Sequence, residues 1–304
     1  MLPRRGGRHS KRRYNLGLES GTEKGLETAV KAAHNLAASY GSSGQSNSEA
    51  LAWTANSIAV CLHGGSDQFL EMASHTLFNA GKDFEKDGLM PEEICERYRE
   101  LIMAPQTEEN AETLVKGARV LLLLASNPND FPGNSVEAPF IFDLAAELGR
   151  LAETPEGLVV SADAKVGLGG HLLIEKADSA SIISACREAV EFGERSGRPE
   201  GLVSAAKAYN TWGMTLAIAK AEYSEIEPLL VRAVISGLNS GAALGAVDAV
   251  IALFNLGGRI LNNGFPGAHA ANMFFHAAKE ICLATNVPRA PGLIVMIDKA
   301  LGLK

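Results

Sequence analysis

A spacing of 44 residues governs the second half of this 304-residue chain. Ala164, Ala208 and Ala252 stand that far apart, as do Leu168, Trp212 and Leu256, and Gly169, Gly213 and Gly257. The register continues through Leu172, Leu216 and Ile260, then Cys186, Leu230 and Phe274, then Ala189, Ala233 and Ala277. Small residues hold fixed columns, and large apolar ones fill the columns beside them. A fixed period of this length means stacked supersecondary units, each too small to bury its apolar face alone. One step earlier, Ala138, Phe142, Ala145 and Gly149 match Ile182, Cys186, Ala189 and Gly193. The preceding segment, 111–125, fits only with an inserted loop, and 127–134 supplies one rich in turn residues.

Within a unit, Ala208, Trp212, Leu216 and Ala219 share one helical face. Leu229, Leu230, Ala233, Val234 and Leu238 share another. Turns are expected at 176–179, 220–224 and 262–267, so each unit reads as an antiparallel helix pair. A glycine inside a helix costs about 1 kcal/mol relative to alanine, so the glycine column is read as the place where backbones approach. The pattern Trp/Leu-Gly-x-x-Leu, then Ile, Leu/Phe and Ala, resembles the tetratricopeptide repeat. The best copy is AYNTWGMTLAIAKAEYSEIEPLLVRAV, residues 208–234. That family's usual period is about 34; the longer period here is similar to the extended repeats of bacterial regulatory and signalling members. The resemblance implies an all-α fold, an α-solenoid of stacked antiparallel helix pairs winding as a right-handed superhelix.

On this reading residues 1–20 are a basic, disordered tail and 21–304 a single helical repeat domain. Clear repeats lie at about 161–290, an interrupted one at 111–157, a loose one at 48–88 and a C-terminal cap at 291–304. Further amphipathic helices are expected at 21–40 and 90–103, the first followed by a flexible Gly/Ser connection at 41–46.

The formal net charge is −7, but six of the 28 Lys and Arg fall within the first 13 residues: Arg4, Arg5, Arg8, Lys11, Arg12 and Arg13. The remainder carries 22 basic against 35 acidic residues, a net of −13, which argues against wrapping nucleic acid around the body. The basic tail is the one segment able to serve as a nucleic-acid arm. Cys61, Cys95, Cys186 and Cys282 form no C-x-x-C pair and read as core thiols of a reducing compartment. No apolar run of about 18 residues is seen, so no membrane span is expected. No secretory h-region opens the chain, and a cytoplasmic location is expected.

Chemistry-bearing patterns are sparse. GLGGH at 167–171 lacks the third glycine and the preceding strand of a dinucleotide fingerprint. His269 and His276 have no ligand-spaced carboxylate, and no serine sits in a G-x-S-x-G elbow. Glu92, Glu93, Glu96 and Glu100 read as a solvated helix face. No catalytic residue, metal or cofactor is therefore assigned. An enzyme site at the irregular 127–137 loop, with Asp130 and Glu137, is the least favoured alternative.

The family resemblance implies a groove lined by the first helix of each pair. The groove-facing positions then hold Asp163, Val166 and Gly170, next Lys207, Asn210 and Met214, next Ile251, Phe254 and Gly258. Leu173, Ala217 and Leu261 lie one turn further on, and Arg259 adjoins. The expected peptide-binding set is Lys207, Asn210, Met214, Phe254, Arg259, Val166 and Leu261. Too few cations are present for a full carboxylate clamp, so an amphipathic or apolar segment is expected there. The function expected is a non-enzymatic scaffold or regulatory adaptor for a protein segment, a peptide or a second copy. Nucleic acid could be reached only through the tail.

Overall fold

The computed structural model describes residues 5–42, 47–104, 110–127, 136–262, 268–285 and 290–303. Among these residues there is no strand; the chain forms α-helices joined by turns. It divides into two compact units, Met1–Ala152 and Glu153–Lys304, where the sequence reading has one repeat domain.

Unit 2 holds α8 (Pro155–Ile174), α9 (Ser179–Arg195), α10 (Pro199–Ile218), α11 (Tyr223–Asn239), α12 (Ala243–Asn262), α13 (Ala268–Ala284) and α14 (Ala290–Ala300). Each consecutive pair from α8 to α13 packs together. Short turns make the partners antiparallel. Local chemistry sets their ends. Thr154 accepts a hydrogen bond from the Gly157 amide at 3.0 Å, and Asp178 one from the Ser181 amide at 2.9 Å. Pro155 and Pro199 open α8 and α10, where a missing N–H costs nothing. Both helices end on a lysine in the left-handed region, Lys176 (φ 55°) and Lys220 (φ 60°). There Ala177 N–H reaches the Leu172 carbonyl, and Ala221 N–H the Leu216 carbonyl, each at 2.9 Å.

Unit 1 holds α1 (Arg5–Ser20), α2 (Glu23–Ser42), α3 (Asn47–Gly64), α4 (Asp67–Lys86), α5 (Pro91–Met103), α6 (Ala111–Ser126) and α7 (Ala138–Leu151). Residues 5–20 are thus not a disordered tail: they form a helix packed against α2. The amphipathic stretches at 21–40 and 90–103 are α2 and α5. Residues 43–46 and 128–135, and with them most of the expected linker and of the inserted loop, lie outside the described residues.

The 44-residue step runs through the whole chain. The helices α2, α4, α6, α8, α10 and α12 begin at 23, 67, 111, 155, 199 and 243. No inserted loop is needed to place α6. The loose repeat at 48–88 is also out of phase: α3 is the second helix of the pair begun by α2, and α4 begins the next pair. Only the end slips. α13 starts 45 residues after α11, so Phe275 and Ala278 are buried rather than Phe274 and Ala277.

The glycine column does a different job from the one expected. A Cβ on Gly213 would meet Leu230 at 2.9 Å, one on Gly257 the Phe275 ring at 2.6 Å, and one on Gly169 the Cys186 sulfur at 3.4 Å. These glycines make room for a side chain of the second helix. Backbone meets backbone elsewhere, in the sequence Gly-x-x-Ser-Gly-x-x-x-Gly at Gly17–Gly25, Gly193–Gly201 and Gly237–Gly245. The serine hydroxyl donates to the first glycine's carbonyl at 2.8, 2.7 and 2.6 Å in the three copies. The middle glycine takes a positive φ, which lets the chain reverse. The outer glycines let the two helices touch.

Ala164, Ala208 and Ala252 are wholly buried, and Ile182, Cys186, Tyr209, Ile226, Leu230 and Leu256 form one core with the last two. All four cysteines are buried free thiols. Burial pushes Cys61, Cys95 and Cys186 up to about 12, which keeps them as inert thiols. Against the sequence reading, α8 and α12 are each long and apolar enough to cross a membrane. In unit 2 their small-residue flanks pack on neighbouring helices, as a core helix of a repeat stack requires.

Candidate functional site

The first helices α10 and α12 run parallel, with α11 antiparallel between them. Together they frame a recess of about 320 Å³ in unit 2. Its floor is Gly213, Ile226 and Leu230; its walls are Met214, Ala217 and Ile218 from α10, and Phe254, Asn255, Gly258 and Arg259 from α12. Met214 is 42% exposed and Ile218 67%. Phe254 divides its ring between the recess and the core, where it lies 5.4 Å from the Phe275 ring.

Of the residues expected to form the groove, the structure brings Met214, Phe254 and Arg259 together here. Lys207 and Asn210 sit on the same face of α10, two turns and one turn before Met214, outside the recess. Val166 packs against the core of unit 2, and Leu261 is exposed beyond the recess. Sequence reasoning missed Ile218, which follows Met214 by one helical turn, and Asn255, which precedes Arg259 by one.

The Lys207–Asn210 segment faces a buried carboxylate. The Asn210 side-chain amide donates to the Asp248 carbonyl at 2.9 Å. The Asn210 Oδ1 and Asp248 Oδ2 atoms are both buried without a hydrogen-bond partner. A buried carboxylate oxygen with no hydrogen-bond partner favours the protonated form. Burial raises the Asp248 carboxyl to about 6, against the opposing pull of Lys207. Because the folded-state value lies above the unfolded one of about 3.9, the neutral form favours folding. That stabilisation is complete below pH 4 and is lost as pH rises through 6. Asp248→Asn, a neutral isostere, is expected to flatten the pH dependence of the melting temperature between pH 4 and 7. At pH 7.5 it is expected to gain roughly 2 kcal/mol. A variant less stable than the wild type at pH 7.5 would refute this.

Unit 1 repeats the recess. Between α2, α3 and α4 lies a cavity of about 630 Å³ whose lining includes Ala37, Ala38, Ala50, Thr54, Asn79 and Asp83. Each stands four periods before its counterpart: Gly213, Met214, Ile226, Leu230, Asn255 and Arg259. The amide is kept and the charge is inverted, Asp83 against Arg259. Asp83 is an exposed partner of Lys86 at 2.9 Å.

Of the arm residues, Arg5, Arg8, Lys11, Arg12 and Arg13 lie on α1. Lys11 is turned inward over the rings of Tyr40 and Trp53, 5.9 and 5.7 Å from their centroids, with Tyr14 edge-on to Trp53. Arg8, Arg12 and Arg13 are exposed. Arg4 lies outside the described residues, as does the side chain of Arg5. At the 127–137 loop Asp130 is likewise outside them, while Glu137 is buried; burial, then its hydrogen bond to Glu85, raises its carboxyl. The 167–171 glycines lie inside α8, and Glu92, Glu93, Glu96 and Glu100 are exposed on α5. Among the described residues no three His, Cys, Asp or Glu are grouped to hold a metal.

The antiparallel pairs, recurring at one 44-residue step, define a helical repeat fold. No protein-family model matches the sequence, and no curated protein does. Solved structures do match in overall course. The apo form of RapI is 12% identical at a TM-score of 0.48, covering 96% of this chain and 82% of its own. The S. pombe nuclear import adaptor Nro1 is 11% identical at 0.40, covering 91% and 99%. A circular tandem repeat protein is 16% identical at 0.29, covering 97% and 77%.

Proposed function

We propose that this chain is a non-enzymatic scaffold or regulatory adaptor that seats a peptide or protein segment in the recess framed by α10, α11 and α12. The observation that carries the reading is the recess itself: concave, apolar-floored and flanked by the exposed Met214 and Ile218. Concave apolar sites with a few placed polar groups are where ligands bind. A groove between parallel helices receives an apolar anchor of a segment by the same burial that holds the repeats together.

Affinity capture from the native cell tests this, with a Met214→Glu, Ile218→Glu variant beside the wild type. A partner identified by mass should bind the wild type and fall at least about tenfold with the variant, since two buried carboxylates cannot be accommodated in an apolar contact. The helical circular dichroism should be unchanged, because both side chains are exposed. A partner retained by the variant would place binding elsewhere; recovery of the chain itself would make the occupant a second copy.

A second reading, contact with nucleic acid, is favoured by the exposed Arg8, Arg12 and Arg13 on one helix. It predicts an affinity that falls steeply with salt.

A further inference from the structure

The recess of unit 2 carries two hydrogen-bond donors and no acid. The Asn255 Nδ2 atom is buried without a partner, and Arg259, one turn on along α12, forms no ion pair among the described residues. No aspartate or glutamate lines the recess. Packing does not require these residues. In the two preceding copies the Asn255 position holds Gly167 and Thr211, and the Arg259 position His171 and Thr215. Asparagine returns at this position in Asn79, where the other recess forms, and there the residue one turn on is Asp83. The amide thus stands at both recesses, and the residue one turn after it differs in the sign of its charge.

We infer that the recess of unit 2 recognises an acidic-apolar peptide motif, a carboxylate held beside an aliphatic side chain. Arg259 and Asn255 take the carboxylate; Met214, Ile218 and Phe254 enclose the aliphatic group. The volume, about 320 Å³, is at the lower end of the roughly 300–1,000 Å³ of ligand pockets. It therefore suits one or two anchoring residues of a segment rather than a whole helix face. Charge complementarity chooses the occupant. A carboxylate satisfies two donors that otherwise face an apolar wall, whereas a basic or wholly apolar segment leaves them unmatched. This inference rests on the peptide-binding reading above and gives it a ligand chemistry.

A phage-displayed library of random 12-residue peptides, panned on the full chain, tests it. Peptides enriched by the wild type should carry Asp or Glu next to Leu, Ile, Val or Met. A synthetic copy with an amidated C-terminus should bind, and a free C-terminal acid should not replace the side-chain carboxylate. Arg259→Gln should weaken that peptide about tenfold or more, the worth of a charge-assisted hydrogen bond. Arg259→Asp, which copies the unit 1 residue, should enrich Lys or Arg peptides instead. Peptides that need Met214, by loss with Met214→Glu, yet are acid-free or indifferent to Arg259→Gln would overturn the inference and leave the groove standing. No enrichment, or enrichment indifferent to Met214→Glu, would overturn both.

Discussion

Gly237→Val is expected to cost unit 2 about 4 kcal/mol, above the usual range for overpacking. A Cβ at this position would run into the carbonyl oxygen of Gly245, and would stand 3.2 Å from both the Cβ and the amide nitrogen of Ala249. The obstacle is the backbone of α12. A side chain could rotate away; a carbonyl inside a helix cannot without losing its own hydrogen bond. The two helices cannot slide apart cheaply either, because Ser240 ties the turn from both sides. Its hydroxyl donates to the Gly237 carbonyl at 2.6 Å and accepts from the Ala242 amide at 3.1 Å. Two other glycines supply the comparison. Gly241, at φ 64°, has open space where a Cβ would stand, with nothing within 4 Å, so Gly241→Ala pays only the left-handed backbone, about 1–2 kcal/mol. Gly213→Ala meets a Leu230 methyl that can shift, and costs about 1 kcal/mol. Urea unfolding followed by Trp212 fluorescence, in a Trp53→Phe background, should rank them Gly237, then Gly241, then Gly213. Equal losses at Gly237 and Gly213 would mean that the inter-pair junction is no tighter than the fit within a pair.

That ranking also separates what the sequence made visible from what it hid. Packing between helices leaves a periodic trace wherever the same residue types recur, so Ala164, Ala208 and Ala252, with their neighbouring columns, disclose α8 to α12 in the right phase. The same columns exist earlier in the chain, but other residues fill part of them. Gly81, Leu36 and Leu124 keep the type, but Ala37 and Ala125 stand where glycine stands later, and Ala80 where Trp212 does, so no copy keeps both columns. Alanine is small enough for the contact and too common in helices to mark it, so the step of 44 vanishes to the eye between 23 and 155. The junction motif was hidden differently. Its first copy, Gly17–Gly25, adjoins a run of arginines whose composition reads as a tail, although helix formation depends on where Gly17 and Tyr14 pack, not on the exposed charges. In the recess, Met214 and Phe254 were legible from their place on the first helices. Asn255 was not, because a lone polar residue at a helical spacing has no signature until its unpartnered amide is seen against an apolar wall. Lys207 was legible as a polar groove position, yet its neighbour is Asp248 on α12 and not the recess, a pairing set by the offset between repeats.

Removing residues 1–20 is expected to lower the melting temperature of unit 1 by about 6–12 °C. α1 is held on α2 by three kinds of contact. Gly17 lies against the Gly25 carbonyl, and a Cβ there would stand 2.9 Å from the Ala29 amide nitrogen. Lys11 and Tyr14 cover Trp53 and the buried Tyr40. Ser20 and Thr22 cap the turn, with Thr22 Oγ1 accepting the Gly25 amide at 3.1 Å. Deletion uncovers the alanine face of α2 and two aromatic rings. Losing contacts of this kind is expected to cost a net of roughly 3 kcal/mol, the upper end of an ordinary destabilisation. For a unit of this size each kcal/mol moves the midpoint by about 2–4 °C. A truncation is thus a poor test of nucleic-acid contact, because it removes part of the fold. Arg8→Glu, Arg12→Glu and Arg13→Glu together change only exposed charges, and are expected to leave the melting temperature within about 2 °C of the wild type. If α1 contacts nucleic acid, the same triple variant abolishes binding to a duplex oligonucleotide at low salt, as read by fluorescence anisotropy. An unchanged affinity would remove that reading. A truncated chain that melts at the wild-type temperature would show that α1 contributes nothing to the stability of unit 1, and that its junction glycines do not hold the helix pair together.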